Sequence, residues 1–359
     1  MPNRGSPNNH GGLTIVPMPG FEDVAERIKA TIARYEIEHS DTEKTPVDIA
    51  IPHFDTRDSG DPLCQLGKEH IGGHDCVVLT SGPCTYEKLV QLQFALGYLK
   101  GRRASRIAVA MGYFFLGRTD KDEDPKNELA LPGFITHLLQ SATYGELDRI
   151  ISADLHAPQI VMAGPPGLIT EIHLGRLLLK RAMAEARQLT EHICLAYPDD
   201  GAAKRDEGAT ETIVKNLGLT HLPNVFGAKR RTSSREAKFR QLFGDLDSIK
   251  GSIILSIDDE IATFKTTGNY ARELKEGYGA TEVWALATHA VFCGPAVELL
   301  LDPNCPVSRV FVTDTIPLDN RPELAPLIAS GKITVVSWLD ALGVIIHLHH
   351  WDRNIRCVI

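Results

Sequence analysis

Short apolar runs rich in β-branched residues alternate along the chain with longer segments of helical periodicity. Near-continuous apolar strands between amphipathic helices are typical of parallel sheets that carry helices on both faces. The pattern therefore predicts an α/β fold with mainly parallel, Rossmann-like sheets. The predicted strands are Cys76–Thr80, Arg106–Met111, Arg149–Ala153, His192–Tyr197, Ser252–Ile257, Glu282–Thr288, Arg309–Thr313 and Ile333–Ser337, and the predicted helices include Tyr86–Leu99, Gly167–Ala186 and Ala271–Glu276.

The alternation restarts after a passage that contains proline and glycine, residues 154–167, which indicates two domains with the same β/α pattern. A chain of 359 residues is long enough for two cores, since a domain usually holds ~150 residues. We expect a flexible tail over residues 1–12, an N-terminal domain over 13–163 and a C-terminal domain over 164–359.

Charge and composition narrow the classes of function. A formal net charge of −8 argues against a protein that binds nucleic acid or an anionic membrane. No apolar run approaches the ~18 residues of a membrane span, and the polar start lacks the apolar segment of a secretory signal. The seven cysteines have no metal-ligand spacing and indicate reduced thiols. We therefore expect a cytoplasmic protein that binds neither nucleic acid nor membrane.

Polar and charged residues follow four of the predicted strands. They are Tyr113–Arg118, Asp154–His156, Pro198–Arg205, and Asp258 and Asp259 with the hydroxyls beyond them. Ligands in open α/β sheets bind beyond the carboxyl ends of the strands, so these residues should gather at one edge. Each group alone is compatible with a capped turn, but four together predict a site for phosphate and a divalent metal.

The residue types suggest how such a site would bind its ligands. Mg²⁺ prefers oxygen ligands, which Asp199 and one of Asp258 or Asp259 could supply. Two neighbouring carboxylates also accept hydrogen bonds from a vicinal diol such as that of ribose. The hydroxyls of 263–267 precede a helix, whose free backbone N–H groups attract phosphate. The alternative is a capped strand-to-helix turn without a ligand.

Six strings occur in an order that resembles the phosphoribosyl diphosphate synthetases, or ribose-phosphate diphosphokinases. They are ISADLHAPQI, YPDDGAAKR, AKRR, IDDEIATFKTTG, THAVFCGPA and VFVTDTIP, and YFFLGRTDK is similar to the family's nucleotide segment. The resemblance runs from about Leu13 to the C-terminus. It implies two stacked phosphoribosyltransferase-type domains with the active site between them. It also implies a homo-oligomer, usually a hexamer, in which a neighbouring subunit supplies part of the nucleotide site.

The resemblance also implies the role of individual residues. Arg118 and Asp120 would bind ATP, with Phe114 or Phe115 near the base, and His156 and Asp199 would hold Mg²⁺ on the ATP phosphates. Lys229 and Arg231 match the family's mobile catalytic loop. Asp258 and Asp259 would bind the ribose diol, and Thr263, Lys265, Thr266 and Thr267 would surround the 5-phosphate.

The implied reaction transfers the diphosphoryl group of ATP to the anomeric hydroxyl of ribose 5-phosphate. The sugar-phosphate loop departs from the family because Phe264 and Lys265 replace small residues and glycine, and Ala262 replaces an acid. Lys265 either pairs with the phosphate or, together with Phe264, obstructs it. The alternatives are a catalytically weak regulatory paralogue, a diphosphokinase with another ribosyl acceptor, and a phosphoribosyltransferase that consumes the diphosphate.

Overall fold

The computed structural model describes residues 11–39, 44–68, 70–122, 128–198, 208, 210–212, 214–215, 221–233 and 236–358, with the backbone alone between 228 and 241 and at 357. The chain divides into two compact units. The first contains residues up to 172 together with 338–359, and the second contains 173–337.

The first unit is built on a parallel sheet with the strand order β2-β1-β5-β6-β7-β8. The strand LTIVP, residues 13–17, is buried along its whole length, and Ala25, Ile28 and Ile32 of the first helix are buried at helical spacing. A separate antiparallel hairpin, β3–β4, precedes β5. The elements are β1 (Leu13–Pro17), α1 (Glu22–Glu38), β2 (Val47–Ile49), β3 (Pro52–Thr56), β4 (Pro62–Leu66), β5 (Asp75–Thr80), α2 (Tyr86–Gly101), β6 (Arg106–Met111), α3 (Pro132–Ala142), β7 (Leu147–Ala153) and β8 (Ile169–Ile172).

The second unit contains a sheet with the order β11-β10-β9-β12-β13-β14-β15, in which β10 and β11 are antiparallel and the other neighbours parallel. Apolar clusters cover both faces, one around Tyr270 and Leu274 and the other around Leu178 and Trp284. The elements are α4 (Gly175–Ala186), β9 (Ile193–Tyr197), β10 (Asn224–Ser233), β11 (Glu236–Gly244), β12 (Ile253–Glu260), α5 (Lys265–Arg272), β13 (Glu282–His289), α6 (Ala296–Leu301), β14 (Arg309–Thr313), α7 (Ala325–Ala329) and β15 (Ile333–Val335).

The two units repeat one topology. In each sheet the parallel strands lie in the order second, first, third, fourth, fifth and sixth, and an antiparallel hairpin precedes the third. This is the doubly wound arrangement, in which the strand order reverses between the first and third strands. The repeat confirms the α/β class with mainly parallel sheets and the similarity of the two halves.

The eight predicted strands are present, with ends that differ by up to three residues. The predicted helix Gly167–Ala186 is wrong at its start, because β8 occupies Ile169–Ile172 and α4 begins at Gly175. The expected Ala271–Glu276 helix begins earlier, at Lys265, and continues as a π turn over Glu273–Gly277. The strands β1 and β2 and both hairpins are absent from the predicted set. β2 has only three residues and the hairpins contain proline or polar residues, whereas β1 has the same apolar pattern as the predicted strands and was missed.

The last helix, α8 (Leu339–His350), belongs to the first unit rather than to the C-terminal domain expected over 164–359. It packs on α1, where Thr31 Oγ1 donates to Asp340 Oδ1 at 3.0 Å. Three histidines in its last turn are buried. His347 bonds to Thr45 at 2.9 Å, His350 bonds to Asp75 at 2.9 Å, and His349 lies 3.3 Å from the Asp148 carboxylate. The first of the two segments that form this unit extends to Ile172, nine residues beyond the boundary expected near residue 163.

Among the described residues, none of the helices combines the length and the apolar character that crossing a membrane requires.

Close approach of α8 to α1 depends on Gly343. A Cβ atom there would lie 2.7 Å from Thr31 Cγ2 and 3.4 Å from the Ile28 carbonyl oxygen. We expect Gly343→Ala to lower the free energy of unfolding by about 1–3 kcal/mol, because the helices must separate. Urea unfolding followed by circular dichroism measures this.

The matched control is Gly97→Ala in the interior of α2. Its Cβ would meet only the Ala142 carbonyl oxygen, at 3.6 Å, so the better helix propensity of alanine should leave stability unchanged or raise it by up to ~1 kcal/mol. A Gly343→Ala protein as stable as Gly97→Ala would contradict the close packing.

The pH dependence of stability should reflect His349. Burial lowers the pKa of His349 from its ordinary 6.5 to about 4, although the Asp148 carboxylate opposes this and Arg106 and Arg149 add to it. The unfolded chain then binds a proton between pH 6.5 and 4 that the folded chain does not. This contribution to stability is complete above pH 6.5 and is lost as the pH falls toward 4, by at most about 3 kcal/mol.

Unfolding free energies of the wild type and His349→Gln, measured between pH 4.5 and 7.5, test this expectation. The variant should show a smaller decrease of stability below pH 6.5. Parallel curves for the two proteins would exclude His349 as the source. His39→Gln, which changes an exposed histidine of the same unit, serves as the control.

Candidate active site

The strand order of the second unit reverses between β9 and β12, which is where ligands bind in doubly wound sheets. β9 ends at Tyr197, and β12 ends at Asp258, Asp259 and Glu260. Parallel pairing of Ser256 with Ala196 and of Asp258 with Ala287 brings the strand ends to one edge of the sheet. The carboxylates of β12 therefore lie at the reversal point.

These carboxylates belong to the last residues of β12 and are largely removed from water. Asp259 is 5% exposed and Glu260 9%, and a carboxylate oxygen of each lies within 4.8 Å of the other. Asp258 is half-buried and accepts a hydrogen bond from the Asp259 N–H at 3.0 Å. Since like charges at this distance raise each other's energy, a cation beside them would be stabilising. The sequence predicted the aspartates but not Glu260 as a third acid.

The turn after β12 reverses at Phe264, whose φ of 64° lies in the left-handed region that favours glycine. Its ring is 3% exposed, belongs to the core cluster with Ile261 and Tyr270, and lies against Gly268. Burial of an aromatic ring offsets the cost of the strained backbone. The ring thus points into the core, away from the edge of the sheet, and does not form the obstruction considered from the sequence.

A small pocket lies at this point of the sheet. Asp258, Thr266 and Thr267 line it, together with Ser256, Tyr270 and Pro198, while Asp259 is not among the lining residues. Thr266 and Thr267 lie in the first turn of α5, where unpaired backbone N–H groups and the helix dipole favour an anion. Thr263 and Lys265 are exposed beside it. The pocket thus combines an acid with hydroxyls at a helix N-terminus.

Tyr270 fixes α5 against the end of β9. Its hydroxyl donates to the Tyr197 carbonyl oxygen at 3.3 Å, one residue before Pro198. Burial raises the pKa of this phenol far above its ordinary value, so it remains a donor at any physiological pH. The strand end and the helix N-terminus are thereby held at a constant separation.

In the first unit, the strand ends carry a second group of candidate residues. Asp154 is buried and has a φ of 22°, another left-handed conformation at a strand end. The next N–H, of Leu155, donates to Glu171 Oε1 at 2.8 Å. His156 is half-buried, and Arg118 is exposed after β6. The backbone here is strained as at Phe264, which is common at functional sites.

No family model matches the chain. The chain is 31% identical over 253 residues to the ribose-phosphate pyrophosphokinase of Neisseria meningitidis serogroup A, covering 70% of this chain and 71% of that protein. It is 30% identical over 268 residues to the ribose-phosphate pyrophosphokinase of Chromobacterium violaceum, covering 74% and 75%.

The chain belongs to the ribose-phosphate pyrophosphokinase family. Members of this family are transferases. The fold agrees, since the chain superimposes on phosphoribosylpyrophosphate synthetase from Mycobacterium smegmatis with a TM-score of 0.73 at 23% identity, covering 95% of this chain and 99% of that one. The phosphoribosyltransferase-type fold implied by the sequence is thereby confirmed.

Lys229 and Arg231, the expected catalytic residues of a ribose-phosphate pyrophosphokinase, lie on a β-hairpin. They belong to β10, and their backbones pair with Phe239 and Ala237 of β11. The pairing shifts between Ala228 and Lys229, which indicates a bulge beside the lysine. No strand was predicted here, because charged and polar residues fill this edge hairpin and mask the apolar pattern of a strand.

Phe114 and Phe115 are the residues expected near the base of the nucleotide. Both side chains are buried in the core cluster of the first unit. Phe114 and Phe115 were assigned to a site because they follow a predicted strand. The apolar segment that begins in this strand continues through both residues, and both pack in the core. Asp120 is half-buried and accepts a hydrogen bond from Gln159 Nε2 at 3.0 Å.

The two units each hold part of the expected set. Asp258, Thr266 and Thr267 meet in the pocket of the second unit, while His156, Arg118 and Asp120 lie in the first. Asp199, the other expected metal ligand, lies outside the described residues.

Proposed function

We propose that this chain transfers the diphosphoryl group of ATP to the anomeric hydroxyl of ribose 5-phosphate, giving phosphoribosyl diphosphate and AMP. Membership of the ribose-phosphate pyrophosphokinase family supports the reaction. The observation that carries the proposal is the placement of Asp258 at the end of β12 close to Thr266 and Thr267 in the first turn of α5, which together line one small cavity. A carboxylate suits sugar hydroxyls, and the hydroxyls and backbone N–H groups suit a phosphate.

The sugar would be held at both ends. Asp258, with Asp259 beside it in β12, would accept hydrogen bonds from the ribose diol. Thr263, Thr266 and Thr267 would donate to the 5-phosphate, together with the N–H groups of the first turn of α5. Lys265 is exposed at the first position of this helix, so its ammonium can reach an anion there. Holding the sugar at both ends fixes the direction of its anomeric hydroxyl.

ATP would be bound by Arg118 and Asp120 and positioned for in-line attack. Phosphoryl-type transfer needs alignment and neutralised negative charge rather than a protein nucleophile. Lys229 and Arg231 would neutralise the charge that develops on the transferred group. Both residues belong to β10 and are two positions apart, so the hairpin fixes their spacing along the strand.

The donor set fits a hard divalent cation. The buried carboxylates of Asp259 and Glu260, within 4.8 Å of each other, are oxygen ligands of the kind that Mg²⁺ prefers. We assign His156 and Asp199 to the ion bound to the ATP phosphates, on the resemblance. Mg²⁺ would neutralise phosphate charge when bound, and the residues of the chain orient the two substrates.

As part of the same proposal, the enzyme forms a homo-oligomer and is located in the cytoplasm. The six cysteines that the structure describes as free are consistent with a reducing compartment. Light scattering of the purified protein would test the oligomer.

The decisive experiment combines the purified protein with ATP, Mg²⁺ and ribose 5-phosphate and measures AMP and phosphoribosyl diphosphate. AMP release should require the sugar phosphate, stop with excess chelator and return with Mg²⁺. AMP release with another ribosyl acceptor but not ribose 5-phosphate would point to a diphosphokinase of different specificity. A folded protein that releases no AMP would point to a regulatory paralogue.

Lys229→Ala should lower kcat by two or more orders of magnitude, because a cation at the transferring group stabilises the transition state by about 3 kcal/mol. KM values should change much less, since the lysine acts on developing charge. Steady-state kinetics measure both. Lys250→Ala, an exposed lysine of the same unit, is the control. An unchanged kcat would remove Lys229 from the mechanism.

Lys265→Ala should raise KM for ribose 5-phosphate about tenfold or more, because a charge-assisted hydrogen bond to phosphate is worth about 1.5–3 kcal/mol. KM for ATP should stay within about twofold. Arg272→Ala removes an exposed cation from the other end of α5 and should leave both values unchanged. A lower KM for ribose 5-phosphate in Lys265→Ala would show obstruction instead of pairing.

A further inference from the structure

The sugar-phosphate loop, residues 261–267, depends on a second loop for its first hydrogen bonds. The Ile261 N–H donates to the His289 carbonyl oxygen at 3.0 Å. In return, the N–H groups of Phe292 and Cys293 donate to the carbonyl oxygens of Ile261 and Ala262, each at 2.9 Å. We call residues 289–293 the support loop. Three backbone bonds therefore set where the sugar-phosphate loop leaves β12.

The carbonyl groups of the support loop converge on one side chain, that of Arg321. Its Nη1 donates to the carbonyl oxygens of Ala290 at 2.9 Å and Val291 at 3.1 Å, and its Nη2 donates to that of Phe292 at 2.8 Å. A guanidinium offers five N–H donors in a rigid plane, which a lysine ammonium cannot reproduce. One arginine thus holds three successive peptide groups.

The surroundings of Arg321 indicate a fixed part of the fold. Its side chain is 19% exposed, and its Nε donates to Glu323 Oε1 at 3.1 Å. Phe292 has a φ of 40°, in the left-handed region, and is buried. A phenylalanine remains in that conformation only where the surroundings impose it. The three carbonyl bonds of Arg321 supply this constraint, and the guanidinium also lies 5.9 Å from the Phe292 ring.

We propose that Arg321 is a positioning residue for the sugar-phosphate site. It acts through the support loop: the guanidinium fixes the carbonyls of 290–292, the support loop then presents the N–H groups of Phe292 and Cys293, and these fix Ile261 and Ala262. The inference rests on the proposed function for its kinetic consequence. Loss of the guanidinium should displace the hydroxyls and N–H groups that receive the 5-phosphate, and should leave the binding of ATP unaffected.

The kinetic test compares Arg321→Ala and Arg321→Lys with two controls. Arg321→Ala should raise KM for ribose 5-phosphate at least tenfold and leave KM for ATP within twofold, and Arg321→Lys should not restore the wild-type value. Millimolar ethylguanidinium should restore at least part of the affinity of Arg321→Ala. An unchanged KM for ribose 5-phosphate, or an equal rise of both KM values, would overturn the proposal.

The controls separate positioning from general stability. Arg309→Gln removes an arginine at the start of β14 whose side chain is 29% exposed, comparable to Arg321. Arg309 pairs with Glu185 and stacks 4.7 Å from the Trp284 ring. It should lower the unfolding midpoint without changing either KM. Glu323→Gln leaves the three carbonyl bonds of Arg321 in place and should behave as the wild type. A rise in KM for ribose 5-phosphate in Arg309→Gln equal to that in Arg321→Ala would contradict a specific role.

Hydrogen exchange without substrates tests the same chain of contacts independently of turnover. Peptides covering 261–268 and 290–294 should exchange at least tenfold faster in Arg321→Ala, while those of β13 remain as in the wild type. If the wild type releases no AMP, the proposed function fails and this measurement still decides the role of Arg321. Unchanged exchange in both loops would overturn it. Arg321→Lys serves in both measurements if the alanine variant does not fold.

Discussion

The parallel pairing of β12 with β9 on one side and β13 on the other determines where the residues of the candidate sugar site lie. All three strands run in the same direction, so their carboxyl ends reach one edge, and the reversal of strand order opens a crevice there. Asp258 at the end of β12 and the first turn of α5 border it. Tyr270 then ties this helix to the end of β9. The acid and the helix N-terminus thus meet through the topology of the sheet.

This edge concentrates features that would destabilise the fold elsewhere. Asp259 and Glu260 are buried close together, and Phe264 and Phe292 both have left-handed backbones. Apolar packing of the two rings and backbone bonds between the two loops offset the cost of the two left-handed residues. Strained residues and grouped charges persist where the surrounding structure imposes them, and they concentrate at functional sites. The arrangement is consistent with a preorganised site for a charged sugar.

The first unit is completed by the end of the chain. α8 returns to α1 and places three histidines beside Thr45, Asp75 and Asp148. Each histidine and its partner are far apart in sequence, by up to about three hundred residues. Their contacts therefore form only once α8 has packed against the N-terminal part of the chain. The close approach through Gly343 shows that this contact is as tightly packed as a core.

The sequence by itself determined the α/β class, the positions of eight apolar strands and the family, because periodicity and ordered motifs are local properties. It also indicated Asp258, Thr266 and Thr267 as neighbours at a strand end. Only the tertiary structure decided that Phe114 and Phe115 belong to the core, that Phe264 turns inward and that α8 joins the first unit. Burial and long-range pairing depend on residues far apart in the chain, which no local pattern records.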